Sequence, residues 1–169
     1  MQFAVGDKVV HPRIGAGQIT GTSRQELVAG FESYYVIDIP GKESTIYIPM
    51  SKVEELGVRP VMSRTRLRRV LKALTKNPQE LPDDAKERQK DIQEKLRTGN
   101  PMQIAEAMRD LTWHKHIASL TQKDEELLSQ GRDFLAAEMA LAAETSIQEI
   151  QTRISSALEV LLNHDVAES

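Results

Sequence analysis

Residues 32–48 read ESYYVIDIPGKESTIYI. Tyr35, Ile37 and Ile39 fall on one parity, with Tyr34, Val36 and Asp38 on the other, which is the two-residue period of a strand. Pro40-Gly41-Lys42 is a turn signal, and Glu43–Ile48 then alternates Ile46 and Ile48 with Tyr47. The same texture extends toward the N-terminus. Asp7–His11 is a short β-branched run, and Ala16–Arg24 follows the Gly15/Gly17 pair. Gln25–Phe31, with Gly30 inside it, reads as a longer hairpin loop. Short strands with tight turns in the first sixty residues predict a small barrel of SH3 or Tudor type.

After Pro60 the period changes to 3.6. Ser63 is placed to cap a helix carrying Leu67, Val70, Leu71 and Leu74, and Asn77-Pro78 stops it. Pro82-Asp83-Asp84 opens a second helix with Ala85, Ile92 and Leu96, which ends near Gly99. Asn100 is a cap followed by Pro101 at the first helical position, ahead of Ile104, Met108 and Leu111. Thr121, with Asp124 three residues on, caps a fourth helix holding Leu127, Leu128, Phe134 and Leu135. Thr145 with Gln148 suggests a capping box for a fifth, whose stripe is Ile147, Ile150, Ile154, Leu158 and Leu161. The predicted fold class is α+β: a small Tudor-like β-barrel over residues 1–60, then a five-helix bundle over 61–169.

Composition narrows the functional classes. The chain has no cysteine, so disulfides, thiolate zinc sites and thiol nucleophiles are excluded. No run approaches the ~20 apolar residues of a membrane span, and the Asp7-containing start does not read as a signal peptide. A cytoplasmic monomer that avoids membranes is expected. Net charge is −3 but unevenly spread. Residues 61–97 carry eleven Lys/Arg against six acids, whereas residues 98–169 carry five against twelve. Such a split suits a chain that offers one face to a polyanion; it equally suits solvated helix faces.

Catalytic chemistry finds no constellation, and no enzyme is expected. His114 and His116 point about 200° apart on a helix, so they cannot share a metal. His11 follows a strand and precedes Pro12, and His164 falls in a tail expected to fray. Asp83-Asp84 and Glu125-Glu126 lie at helix starts, where acids complement the dipole. GAGQITG, residues 15–21, matches neither the dinucleotide nor the phosphate-loop spacing and reads as a bulge or turn. Trp113 lies about opposite Ile104 on its helix, as packing against a second neighbour requires.

Four stretches carry a resemblance. VGDKVVHPRIGAGQI (5–19) resembles the start of a CarD-type RNA polymerase interaction domain, a module also found in transcription-repair coupling factors. IYIPMSKVEELGVRPV (46–61) resembles its end. QEKLRTGNPMQIAEAMRDL (93–111) and LAAEMALAAE (135–144) are similar to the helical domain of CarD. The likeness runs from residue 1 to about 162, and no helicase follows. It implies a barrel that binds the polymerase β subunit by strand addition at an exposed edge. It also implies a helical domain that contacts promoter DNA weakly and without sequence specificity, affecting open-complex stability. No cofactor or metal is implied. By position, the polymerase-facing residues would be Arg24, Gln25, Ile46, Tyr47 and Ile48. Ile46 and Ile48 equally suit barrel core; Tyr47, of opposite parity, suits the surface.

The helical half departs from the family pattern. Relatives place a tryptophan wedge near the start of the second bundle helix, and that position is Ala85, which cannot prop open a base step. A basic position at the start of the fourth helix is Glu125 or Glu126. Lys86, Arg88 and Lys90 remain beside Ala85 as candidate phosphate contacts. Two functions fit: a polymerase-bound regulator of promoter opening, or a polymerase-bound adaptor that recruits another protein through its helices.

Overall fold

The computed structural model describes residues 2–168, with side chains described for 2–163. His164 lies outside the described side chains. Five antiparallel strands come first: β1 (Lys8–His11), β2 (Gly15–Ser23), β3 (Tyr34–Ile39), β4 (Ser44–Pro49) and β5 (Arg59–Pro60), in the spatial order β4-β3-β2-β1-β5. The two-residue β5, half of it proline, carries no periodicity and is visible only through its pairing with Val9 and Val10. One face of the sheet closes over Val9, Ile19, Tyr35, Ile37, Ile39, Ile48, Val53 and Val58.

The glycine-rich stretch has a packing reason. A Cβ on Gly17 would lie 2.4 Å from the Asp38 carbonyl oxygen and 2.6 Å from Ile39 Cδ1, so only a bare backbone lets β2 run this close to β3. The register between the two strands shifts between Ile19 and Gly21, the irregularity that the glycines suggested.

The helices are α1 (Arg64–Ala73), α2 (Ala85–Arg97), α3 (Pro101–Ile117), α4 (Gln122–Ala143) and α5 (Ile147–Glu168). Ser63 Oγ accepts from the Arg66 N–H and caps α1; Asp84 caps α2, and Asn100 caps α3. Thr121 and Asp124 form a reciprocal capping box on α4. The α5 cap is shifted by one residue from the expected Thr145 with Gln148. Ser146 Oγ accepts from the Glu149 N–H at 3.1 Å, while the Thr145 hydroxyl donates to the Glu149 carboxylate at 2.6 Å. Two adjacent hydroxyls compete for one role, and spacing alone does not rank them. The main bundle core joins Leu67, Val70 and Leu74 of α1 and its exit to Met108, Leu135, Met139, Ile150 and Ile154. Trp113 is half-buried against His116, with ring centroids 5.4 Å apart.

Sheet and bundle are tied by charge. Glu138 on α4 is fully buried, and Arg59 on β5 grips it with two 2.8 Å bonds. The Met62 backbone N–H donates to the same carboxylate at 2.7 Å, and Arg59 also donates to the Gly99 carbonyl. Lys8 on β1 donates to the Leu141 carbonyl and to Glu144, both at 3.1 Å. Among the described residues, no helix is long and apolar enough to cross a membrane.

Candidate functional site

Strand β4 is an edge. In the order β4-β3-β2-β1-β5 it pairs only with β3, so the backbone groups on its outer side have no sheet partner. Its side chains alternate in accessibility. Ile48 is 3% exposed and packs in the core, Tyr47 is 50% exposed, and Ile46 is partly buried against the core. The Ile48 side chain therefore leaves the set of surface candidates, because inward parity commits it to the barrel interior. Arg24 and Gln25 are both exposed, just past the end of β2. Since Ser23 pairs with Tyr34 and Tyr34 with Pro49, they lie at the sheet end where β4 finishes. Of these candidates, Tyr47 lies on the free edge itself, while Arg24 and Gln25 follow β2, two strands in from it, and begin the corner formed by the hairpin loop. Leu27 and Val28, exposed in the hairpin loop beyond Gln25, extend that corner.

The α2 candidates are divided. Lys86 and Lys90 are exposed, and Ala85 is half-buried at the first helical position. Arg88 is not available. Its side chain is 3% exposed, and four of its five N–H groups are occupied. Nε donates to Asp124 Oδ1 at 3.2 Å and Nη2 to Asp124 Oδ2 at 2.6 Å, while Nη1 donates to the Pro82 and Asp83 carbonyls. Burial alone would raise the Asp124 carboxyl. The Arg88 fork and the backbone N–H and hydroxyl of Thr121 outweigh it and hold the pKa at about 2. Arg88 is a staple between α2 and α4, not a phosphate contact. Helical spacing contains the warning, since Arg88 lies on the stripe of Ala85, Ile92 and Leu96, about 100° or more away from Lys86 and Lys90.

Without Arg88, α2 is electrically balanced. Lys86, Lys90 and Arg97 are exposed beside Glu87, Asp91 and Glu94, and Lys95 is paired with Glu106. At the adjacent start of α4, Glu125 pairs with Lys115 at 2.8 Å. The described histidines belong to no metal cluster. His11 Nδ1 accepts from the Arg13 and Ile14 N–H groups, and burial, with Arg13 and Lys42 nearby, lowers its pKa and favours the neutral ring this requires. Among the described residues no cluster of His, Asp or Glu could hold a metal ion. A cleft of about 800 Å³ separates sheet from bundle, but none of the predicted site residues lines it.

A sheet with a free edge, followed by five helices, is the arrangement the four stretches implied, and family models match both parts. Residues 69–155 match "CarD, C-terminal domain", and residues 3–62 match "CarD-like/TRCF RID domain". The chain belongs to the CarD-like family. It is similar, at 27% identity over 150 residues, to the Bacillus subtilis (strain 168) protein named "Putative transcription factor YdeB", covering 89% of this chain and 98% of that one. The RID domain is Tudor-like and polymerase-interacting in type. This CarD-like chain therefore has a transcription-associated role, with a partner in the transcription machinery.

Proposed function

We propose that this CarD-like protein docks on the RNA polymerase β subunit through the outer edge of β4 and modulates the stability of the open promoter complex. The observation that carries the reading is the free β4 edge, with half-exposed Tyr47 on it; Arg24 and Gln25 are exposed two strands in, at the sheet end where β4 finishes. An edge strand offers main-chain hydrogen bonds to an added strand, and the outward side chains set its specificity. Lys86 and Lys90 contribute at most weak, non-specific phosphate contacts, and Ala85 supplies no wedge.

The test uses the full chain. Tyr47→Asp places a charge on the edge at a position the fold does not bury. It should weaken binding to the β subunit by at least about tenfold, or ~1.4 kcal/mol, with an unchanged circular dichroism spectrum. Wild-type binding by a folded Tyr47→Asp, Arg24→Glu double variant sinks the docking surface. The adaptor reading is favoured by the charge balance of α2. A polymerase–promoter footprint that this protein extends supports the regulator; intact docking with an unextended footprint supports the adaptor.

A further inference from the structure

Residues 56–79 contain seven Lys/Arg and no Asp or Glu. Arg59 is committed to Glu138, Arg64 lies 3.8 Å from Glu144, and Arg66 donates to Asn100 at 3.4 Å. Arg68, Arg69, Lys72 and Lys76 are exposed and make no ion pair among the described residues. At about 100° per residue, Arg68, Arg69 and Lys72 of α1 fall within an arc of about 100°, and Lys76 lies in the turn that follows the helix. Leu67, Val70 and Leu74, on the other side, are buried in the bundle core and fix the rotation of the helix. The three helical cations are therefore held toward solvent as one stripe by a packed scaffold, with Lys76 exposed just past its end.

An ordinary solvated helix face does not look like this. The α2 face, in the same protein, mixes three exposed cations with three exposed acids. In α1, Arg68–Lys72 is a like-charged i,i+4 pair, which opposes helix formation. Its first turn contains no acid but does contain Arg64 and Arg66, which oppose the helix dipole. The helix forms on its Ser63 cap and its buried face despite both penalties. A polyanion laid along the stripe would relieve the repulsion within it.

We propose that Arg68, Arg69, Lys72 and Lys76 form the phosphate-binding surface of this protein, and that duplex DNA is the ligand; this rests on the regulator reading above. From Arg68 to Lys72 is about 6 Å along the helix axis, which matches about two phosphates of one strand, and Lys76 extends the run past the helix end. Residues 63–79 include no aromatic side chain, so the stripe lacks the aromatic platform that would favour a single strand over a duplex. The placement is compatible with docking. α1 follows β5, the sheet edge opposite β4 in strand order, so the docking edge and the stripe belong to different elements.

The experiment measures full-length protein on a labelled mixed-sequence duplex over a range of salt concentrations. Each lost phosphate contact should make the log–log slope shallower by about 0.9. Arg68→Gln, Arg69→Gln, Lys72→Gln and Lys76→Gln together, with glutamine keeping the helix, should flatten the slope by about 3. Lys86→Gln with Lys90→Gln should change it by less than 1. The proposal is overturned if the α1 variant keeps the wild-type slope, if the α2 pair accounts for the loss, or if single-stranded DNA or RNA binds more tightly than the duplex. Polymerase binding is measured separately. An α1 variant that docks normally and loses duplex binding supports the proposal. One that loses docking but keeps the duplex slope assigns the stripe to an acidic protein surface and overturns it. Failure of the wild type to dock would sink the docking reading while leaving the salt slope interpretable.

Discussion

Two arginines in this protein grip carboxylates on the same helix, and they do different work. Arg88 and Asp124 join α2 to the first turn of α4, and both side chains are almost completely buried. Arg59 and Glu138 join the sheet to the middle of α4; there the carboxylate is buried but the guanidinium is partly open to water. The first carboxylate also belongs to a capping box, so its position is set locally by Thr121. The second, among the described residues, is held by partners from other parts of the chain, Arg59 and the Met62 N–H. A charge in a cap costs little to place. A charge in mid-helix facing a core is tolerable only when its partners arrive with it.

The largest expected effect follows from that difference. Glu138→Ala strands a guanidinium and a backbone N–H between sheet and bundle and should destabilise the protein by about 3–5 kcal/mol, read by urea denaturation. Separate unfolding of sheet and bundle in this variant would sharpen the contrast. A loss under 1 kcal/mol would break it.

Next in size is the acid response of the other pair. The folded Asp124 carboxyl, at about 2, is depressed below its ordinary value of 3.8. Its contribution is therefore fully present above the unfolded pKa and is lost as pH falls from about 5 to about 2, amounting to about 2 kcal/mol. Asp124→Asn should remove that part of the pH dependence of unfolding. An unchanged acid limb would show that other carboxylates carry it.

The smallest effect tests the local support. Thr121→Ala removes the hydroxyl that caps α4 and should cost about 1 kcal/mol. A similar cost in an Asp124→Asn background would mean that cap and ion pair act independently.

These pairs also mark where the sequence stops being readable. Strands β1 to β4 and all five helices follow from period, turn chemistry and caps, because those signals are local. The pairing of Arg59 with Glu138 spans 79 positions, and nothing local joins them. Glu138, set among apolar residues in LAAEMALA, and the lone cation inside VRPVM do indicate that each needs a partner. Arg88 was legible from its stripe; reading it by charge instead of by phase put it on the surface. The α1 cations show the reverse. Their abundance is plain in the sequence, but their freedom from ion pairs appears only when every nearby acid has been located. Tyr47 is legible by parity, whereas the edge status of β4 depends on strand order, which alternation does not encode.

The buried Arg59–Glu138 grip has a consequence for how weakly the helical half can bind and still matter. A flexible tether would dilute a second contact over every orientation it could reach. With sheet and bundle clamped, a chain docked by β4 would hold its helices at one bearing. Any contact they make would then be an intramolecular event, at an effective concentration set by geometry, of millimolar order even for a short flexible link. An affinity too weak to detect on free DNA would be enough there. The clamp converts a shallow charge stripe into an addressable one, and loosening it would lower avidity without touching either contact surface.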